Sequence, residues 1–252
     1  MLRDRYLVLG FVLVTLAQSG SIAGASASPL SVVARAAAVN TLLMQGVTVN
    51  ERHINVEVSA GPVHYSERND AVVMLVEGAF SRLRYLRIVE NGHEVSQEKM
   101  AEREAQNNRD LERGLGFFKQ PFDQRYLSDY AYVSDANCAC AAGEIAVSFR
   151  SLVRDDQHGD GVMRIDTANG RVHDVTYTPD VLPAHANSAT TTETFGSPLP
   201  GRWTIVRIDR EYHGHVAFFG GNGKVTETLD HFRRLPTPEA GLATLRAARY
   251  GD

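Results

Sequence analysis

From Val47 to Arg233 the chain alternates apolar and polar residues in short runs, and most of the runs are separated by turns too short to hold a crossover helix. Neighbouring parallel strands need a connection of about a dozen residues or more, so this cadence restricts the fold to an antiparallel meander. The pattern opens with Ile54, Val56 and Val58 alternating with Asn55, Glu57 and Ser59. Gly61-Pro62 and Asn69-Asp70 read as breaks, Ala71 to Phe80 and Leu83 to Val89 as further strands, and Glu90-Asn91-Gly92-His93 as a tight turn. Later, Ile145, Val147 and Phe149 share a face, Asp155 to Gly161 turns, and Asn169-Gly170 is the strongest hairpin signal. Gly220-Gly221-Asn222-Gly223 reads as the turn before a last strand, Lys224 to Arg233. Apolar residues occur on both faces of some strands, as with Trp203 and Ile205 against Val206 and Ile208. The expected architecture is therefore mainly β (α+β): a curved antiparallel meander sheet or half-barrel of about ten strands, covered on each side.

Three helices punctuate the strands. Ser28-Pro29 offers an N-cap and a proline at the first helical position, and Leu30, Val33, Ala34, Ala37, Thr41 and Met44 then fall at helical spacing before Gly46. Residues 96–114 form a charged helical insertion anchored by Met100, Leu111 and alanines. Its like-charge pairs at i,i+4, Glu98 with Glu102 and Lys99 with Arg103, lower its intrinsic stability, so it reads as a surface flap. Phe117, Phe118, Phe122, Tyr126, Tyr130 and Tyr132 follow it and require burial. Pro236-Thr237-Pro238 starts a short final helix through Leu242 and Leu245.

The N-terminus reads as a signal peptide over residues 1–25. Arg3-Asp4-Arg5 precedes an uncharged apolar run, Leu7 to Ala17, shorter than the ~20 residues of a membrane span. Ala23-Gly24-Ala25 and Ala25-Ser26-Ala27 each offer a small-x-small cleavage pattern, with cleavage expected after Ala25 or Ala27. Residues 26–252 then form a single domain, exported to the periplasm or the extracellular space, without a stable transmembrane span once the leader is removed. The formal charge of the whole chain is -4, and cleavage removes Arg3 and Arg5 with Asp4, so the remainder is more acidic still. Such a surface gives nucleic acid no electrostatic footprint. Cys138 and Cys140 can pair locally, bridge two molecules or stay reduced.

Motifs for chemistry are sparse. Of nine histidines, His213 and His215 share one side of a strand and could chelate a metal if a third ligand such as His231 or Glu227 arrived from a neighbour; a solvent-facing strand edge is the simpler account, and no metal is assigned. The acidic turn at Asp155 to Gly161 lacks the spacing of a calcium loop. There is no Gly-x-Ser-x-Gly elbow and no His-Glu-x-x-His, so no catalytic residue and no cofactor is assigned. Arg82, Arg84 and Arg87, set among Leu83, Tyr85, Leu86 and Ile88, could meet an anionic head group or simply lie along a sheet face with their heads in water.

In its order of elements, and in the cadence of Val147-Ser148-Phe149, Gly161-Val162-Met163-Arg164-Ile165-Asp166 and Arg202-Trp203-Thr204-Ile205, the chain from Ser28 to Arg234 resembles the periplasmic lipoprotein carriers of the LolA type, the outer-membrane lipoprotein-sorting fold. That resemblance implies a curved half-barrel with helices over its mouth and a non-enzymatic role: holding a lipid, an acyl chain or a lipidated partner. The expected lining is Phe149, Ile165, Trp203, Ile205, Val216 and Phe218, with Val33, Ala37 and Met44 of the first helix as a lid. Two other readings stay open: an envelope hydrolase or metal-dependent enzyme using the His213/His215 strand, and a signalling or scaffold module that senses envelope components by strand addition to a partner protein.

Overall fold

The computed structural model describes residues 28–249 except 116, 136–139, 183, 217 and 218, with the backbone alone at 135, 216 and 219. The leader, Cys138 and Phe218 fall outside the described residues; Cys140 is disulfide-bonded. Helix α1 (Pro29–Met44) leads into β1 (Val47–Ala60), β2 (Val63–Val76), β3 (Ala79–Glu90) and the two-residue β4 (His93–Glu94). Helix α2 (Gln97–Glu112) and a single 3-10 turn (Leu127–Asp129) precede β5 (Tyr130–Asp135), β6 (Glu144–Ser151), β7 (Gly159–Asp166) and β8 (Val172–Pro179). Strands β9 (Ala186–Gly196), β10 (Thr204–Val216) and β11 (Phe219–Leu235) follow, and α3 (Pro238–Ala247) closes the order.

All the strands form one open, curved antiparallel sheet in the order β4-β3-β2-β1-β11-β10-β9-β8-β7-β6-β5. The hairpin cadence accounts for every neighbouring pair except one: β1 pairs with β11, from Val47 opposite Leu235 to Ala60 opposite Gly221. Because β4 and β5 lie at opposite edges, the chain between them must travel the full width of the sheet. It does so as α2 and the aromatic segment 113–129.

Two turn signals resolve differently from their sequence reading. Asn69-Asp70 is no turn but part of β2, where the pairing with β3 slips between Asp70 and Ala71, so the polar pair marks a bulge. The turn itself is Glu77-Gly78, both with positive φ, as are Asn91 and Gly92 in the next hairpin. Gly220 to Gly223 lie inside β11, not in a turn; a Cβ on Gly221 would come within 2.8 Å of the Ser59 carbonyl oxygen, which the crowded β1–β11 contact forbids.

The inner face carries the main core. Val33 and Ala36 of α1, Val73 and Leu75 of β2, Phe149, Ile165, Val175 and Phe195 of later strands, and Phe118 and Phe122 of the crossing segment belong to one cluster. Helix α1 lies across one end of the sheet and is pinned to the β7–β8 turn. The buried Asn40 donates from Nδ2 to the carbonyls of Ala36 and Gly170, while Arg35 donates to those of Thr167 and Ala168. The outer face has a smaller cluster, Val47, Val49, Val72 and Met74, under Leu245 of α3. Gly241 lets α3 approach, since a Cβ there would fall 2.3 Å from the Met74 sulfur.

Helix α2 is fastened rather than a flap. Asn108 accepts from the Leu83 N–H and donates to the Leu83 carbonyl, and Glu104 accepts from the Tyr85 N–H. These polar side chains occupy the edge of β3 that the short β4 leaves uncovered. Arg103 reaches both Glu67 and Glu90. The arginines of β3 also serve fastening: Arg82 pairs with Glu112 of α2, Arg87 with Glu94, and Arg84 donates to the Arg246 carbonyl at the end of α3.

Candidate functional site

A cavity of about 730 Å³ opens on the inner face between the sheet and the crossing segment. Met44, Phe80, Phe117, Phe118, Phe195 and Ile208 give it apolar wall, while Glu77, Lys119, Asp123, Arg125 and Asp156 also line it. Phe118 stacks on Tyr177 at a centroid distance of 3.6 Å, and Phe122 meets Phe195 edge to face at 5.3 Å, so the segment roofing the cavity is held by aromatic contacts. Tyr132 donates to the carbonyls of Pro121 and Leu127, fixing the same segment to β5.

The floor is polar, and five adjacent strands build it. Arg52 of β1, Glu227 of β11, Arg210 of β10, Glu193 of β9 and Tyr177 of β8 all line the cavity. Glu227 is 2% exposed and sits between two guanidiniums, accepting from Arg52 Nε at 2.8 Å and from Arg210. Burial alone would raise its pKa, but the two arginines outweigh this and lower it to about 2. Glu193 accepts from Gln120 Nε2 at 2.5 Å and from the Tyr177 hydroxyl at 3.2 Å. Here burial dominates and pushes the carboxyl up to about 7, against the pull of Arg210 and the two hydrogen bonds. Burial likewise holds the Tyr177 hydroxyl well above its ordinary value. A β-bulge between Ile205 and Arg207 produces this geometry, because it reverses the parity of β10 and lets Ile205, Ile208 and Arg210 share the inner face.

Of the lining residues read from the sequence, Met44 and Ile205 border the cavity. Val33, Ala37, Phe149, Ile165 and Trp203 are buried packing residues, and the Trp203 indole donates to the Val172 carbonyl at 2.6 Å. For Val216 only the backbone, in β10, is described. His213 and His215 are exposed on β10 and meet Asn222 and Asn187 respectively. His231 lies nine positions further along β11 than Asn222, the partner of His213 in register, and Glu227 is committed to its arginines. In the acidic turn, His158 is fully buried, its Nδ1 2.6 Å from Asp155 and its Nε2 3.3 Å from Asp129, which ties the turn to the start of β5.

Sequence reasoning passed over the floor. The available signal was parity: Glu193 alternates in step with Thr191 and Phe195, and Glu227 with Leu229, all of them buried. A carboxylate in the apolar register of a strand is a misplaced charge unless it has a partner.

The site is a cavity with apolar and charged lining between an antiparallel sheet and the segment that crosses it. No protein-family model and no curated protein sequence matches the chain. Among solved structures it is similar to a LolA superfamily protein from Nitrosomonas europaea, at 9% identity and a TM-score of 0.40, covering 85% of this chain and 97% of that one. A DUF1329 family protein from Desulfovibrio piger gives 10% identity and a TM-score of 0.42, covering 87% and 100%. A domain assigned to outer-membrane lipoprotein sorting from Vibrio parahaemolyticus gives 11% and 0.40, covering 86% and 98%. Among the described residues no helix is long and apolar enough to cross a membrane.

Proposed function

We propose that the chain is an exported binding protein that holds an amphipathic ligand, an acyl chain with an anionic head, in the inner cavity and performs no chemistry on it. The observation that carries this reading is a cavity that sets apolar wall beside a buried, charged floor. Phe80, Phe117 and Ile208 suit methylene groups, whereas Arg52 and Arg210 supply two guanidiniums against the single ionised Glu227 as long as Glu193 is protonated. An anionic head group set against that floor gains charge-assisted hydrogen bonds in a desolvated setting. The apolar leader, residues 1–25, supports export.

Delipidated protein titrated with a fluorescent fatty acid is expected to take up one equivalent saturably. Ala79→Trp or Val181→Trp, each placing an indole at the cavity wall, is expected to weaken uptake while leaving the melting temperature near that of the parent. Absence of saturable uptake by the parent protein overturns the reading. Export is checked separately by sequencing the N-terminus of protein recovered from the envelope fraction, with Ser26 or Ser28 expected first.

A further inference from the structure

A second cluster of side chains lies on the outer face, where β2, β1 and β11 run side by side. Glu51 of β1 stands directly opposite Asp230 of β11 in register, and His53 directly opposite Asp70 of β2. The β1–β11 register slips between Val49 and Glu51, and within that bulge His231 takes a positive φ of 47°. The bulge turns His231 to the same side as Glu51 and Asp230: its Nδ1 is 3.1 Å from Glu51 Oε2 and 3.4 Å from Asp230 Oδ1. His53 Nε2 approaches the same two carboxylates, at 3.9 and 3.5 Å. Its other nitrogen, Nδ1, is 2.7 Å from Asp70 Oδ1.

We propose that Glu51, His53, Asp230 and His231 bind a divalent transition-metal ion of the zinc class, with Asp70 orienting His53. Three independent features support this site. Zinc bonds of about 2.0–2.2 Å at tetrahedral angles set ligand atoms about 3.3–3.6 Å apart; Glu51, Asp230 and His231 bring one ligand atom each within 4.8 Å of one another, and His53 reaches the two carboxylates from the other side at 3.9 and 3.5 Å. A carboxylate that takes one imidazole nitrogen and leaves the other for the metal is the usual outer partner of a histidine ligand, and Asp70 stands in that relation to His53. Finally, like charges directly opposite each other on adjacent strands repel, and Glu51 faces Asp230 in just that way; a cation between them removes the penalty.

Imidazole ligands select against magnesium and calcium, which take oxygen donors. A hollow of about 720 Å³, lined by Glu51, His53, Asp70 and His231 together with Thr244 and Ala248 of the α3 end, adjoins the cluster. A water or an anionic ligand can therefore reach an ion held there. This site lies on the opposite face of the sheet from the inner cavity and at the other end of β11 from the partners of His213 and His215, so neither reading depends on the other.

The test is competition for zinc between a chromophoric chelator and full-length mature protein carrying no histidine tag. One stoichiometric site is expected. His231→Ala and Glu51→Gln are each expected to reduce affinity by at least tenfold, Asp70→Asn by about 10–100-fold, and His213→Ala with His215→Ala not at all. Thermal melting supplies a second reading: zinc is expected to raise the melting temperature of the parent and not of Glu51→Gln. No stoichiometric zinc uptake, or uptake that persists in His231→Ala and disappears with His213 and His215, overturns the proposal.

Discussion

At the scale of single residues, the molecule places charge where a strand pattern calls for apolar side chains. Glu227 is the clearest case. Removing it leaves Arg52 and Arg210 at the cavity floor without their carboxylate, so Glu227→Ala is expected to lower the midpoint of chemical denaturation, by less than the roughly 3–5 kcal/mol of a fully buried pair because both arginines keep some exposure. Glu193 behaves in the opposite sense. Its carboxyl has an ordinary value near 4.5 when exposed and about 7 when folded, so its contribution to stability is fully present below pH 4.5 and is lost as the pH rises through 7. The loss amounts to about 3 kcal/mol. Denaturant midpoints measured from pH 4.5 to 8.5 are expected to show this decline in the parent and a flatter profile in Glu193→Gln; equal profiles for the two would remove the assignment. Glu227 works at the other end: its depressed value gives stability that is present above pH 4.5 and lost as the pH falls through 2.

At the scale of elements, α2 shows how a helix can finish a sheet. Successive side chains on one helix face recur every four residues, about 6.0 Å, and outward N–H groups of a strand recur every two, about 6.6 Å. Glu104 and Asn108 therefore meet Tyr85 and Leu83 in turn. The sequence reading saw the like charges and inferred a loose flap, because the partners of those charges, Glu67 and Glu90, lie on strands whose position could not be read locally. Asn108→Ala is expected to lower stability by about 1–3 kcal/mol and, by baring the β3 edge, to promote self-association, visible as earlier elution in gel filtration. The caps and hairpins, by contrast, were legible: Ser28 accepts from the Ser31 N–H ahead of Pro29, and Asn91-Gly92 turns as its residues require. Each of those is settled by neighbours in sequence. The bulges at Ile205 and Val49 were not legible, and they decide which face Arg210 and His231 occupy.

At the scale of the whole molecule, cavity and charge act together. Below pH 7 the floor sets two arginines against one ionised carboxylate, and above it against two. Fatty-acid affinity is accordingly expected to fall by about tenfold between pH 6 and pH 8.5, whereas the affinity of the matching fatty alcohol stays level; parallel titrations by fluorescence distinguish the two. The antiparallel class, the covering of both faces and the burial of the aromatic segment all followed from alternation and composition. The strand order did not, because the seam joining Val56 to Val225 is a non-local contact that no local pattern encodes.

That seam governs how the chain can come to its native state. The first strand of the sheet waits for the last, so until residues 219–235 are available β1 has an open side and the β5–β10 half has no partner for β10. Loop closure over such a distance is paid before its contacts are gained, which makes for slow folding. A chain whose sheet closes only when its final strand arrives keeps unpaired strand edges open for longer, which raises its exposure to wrong pairing on the way.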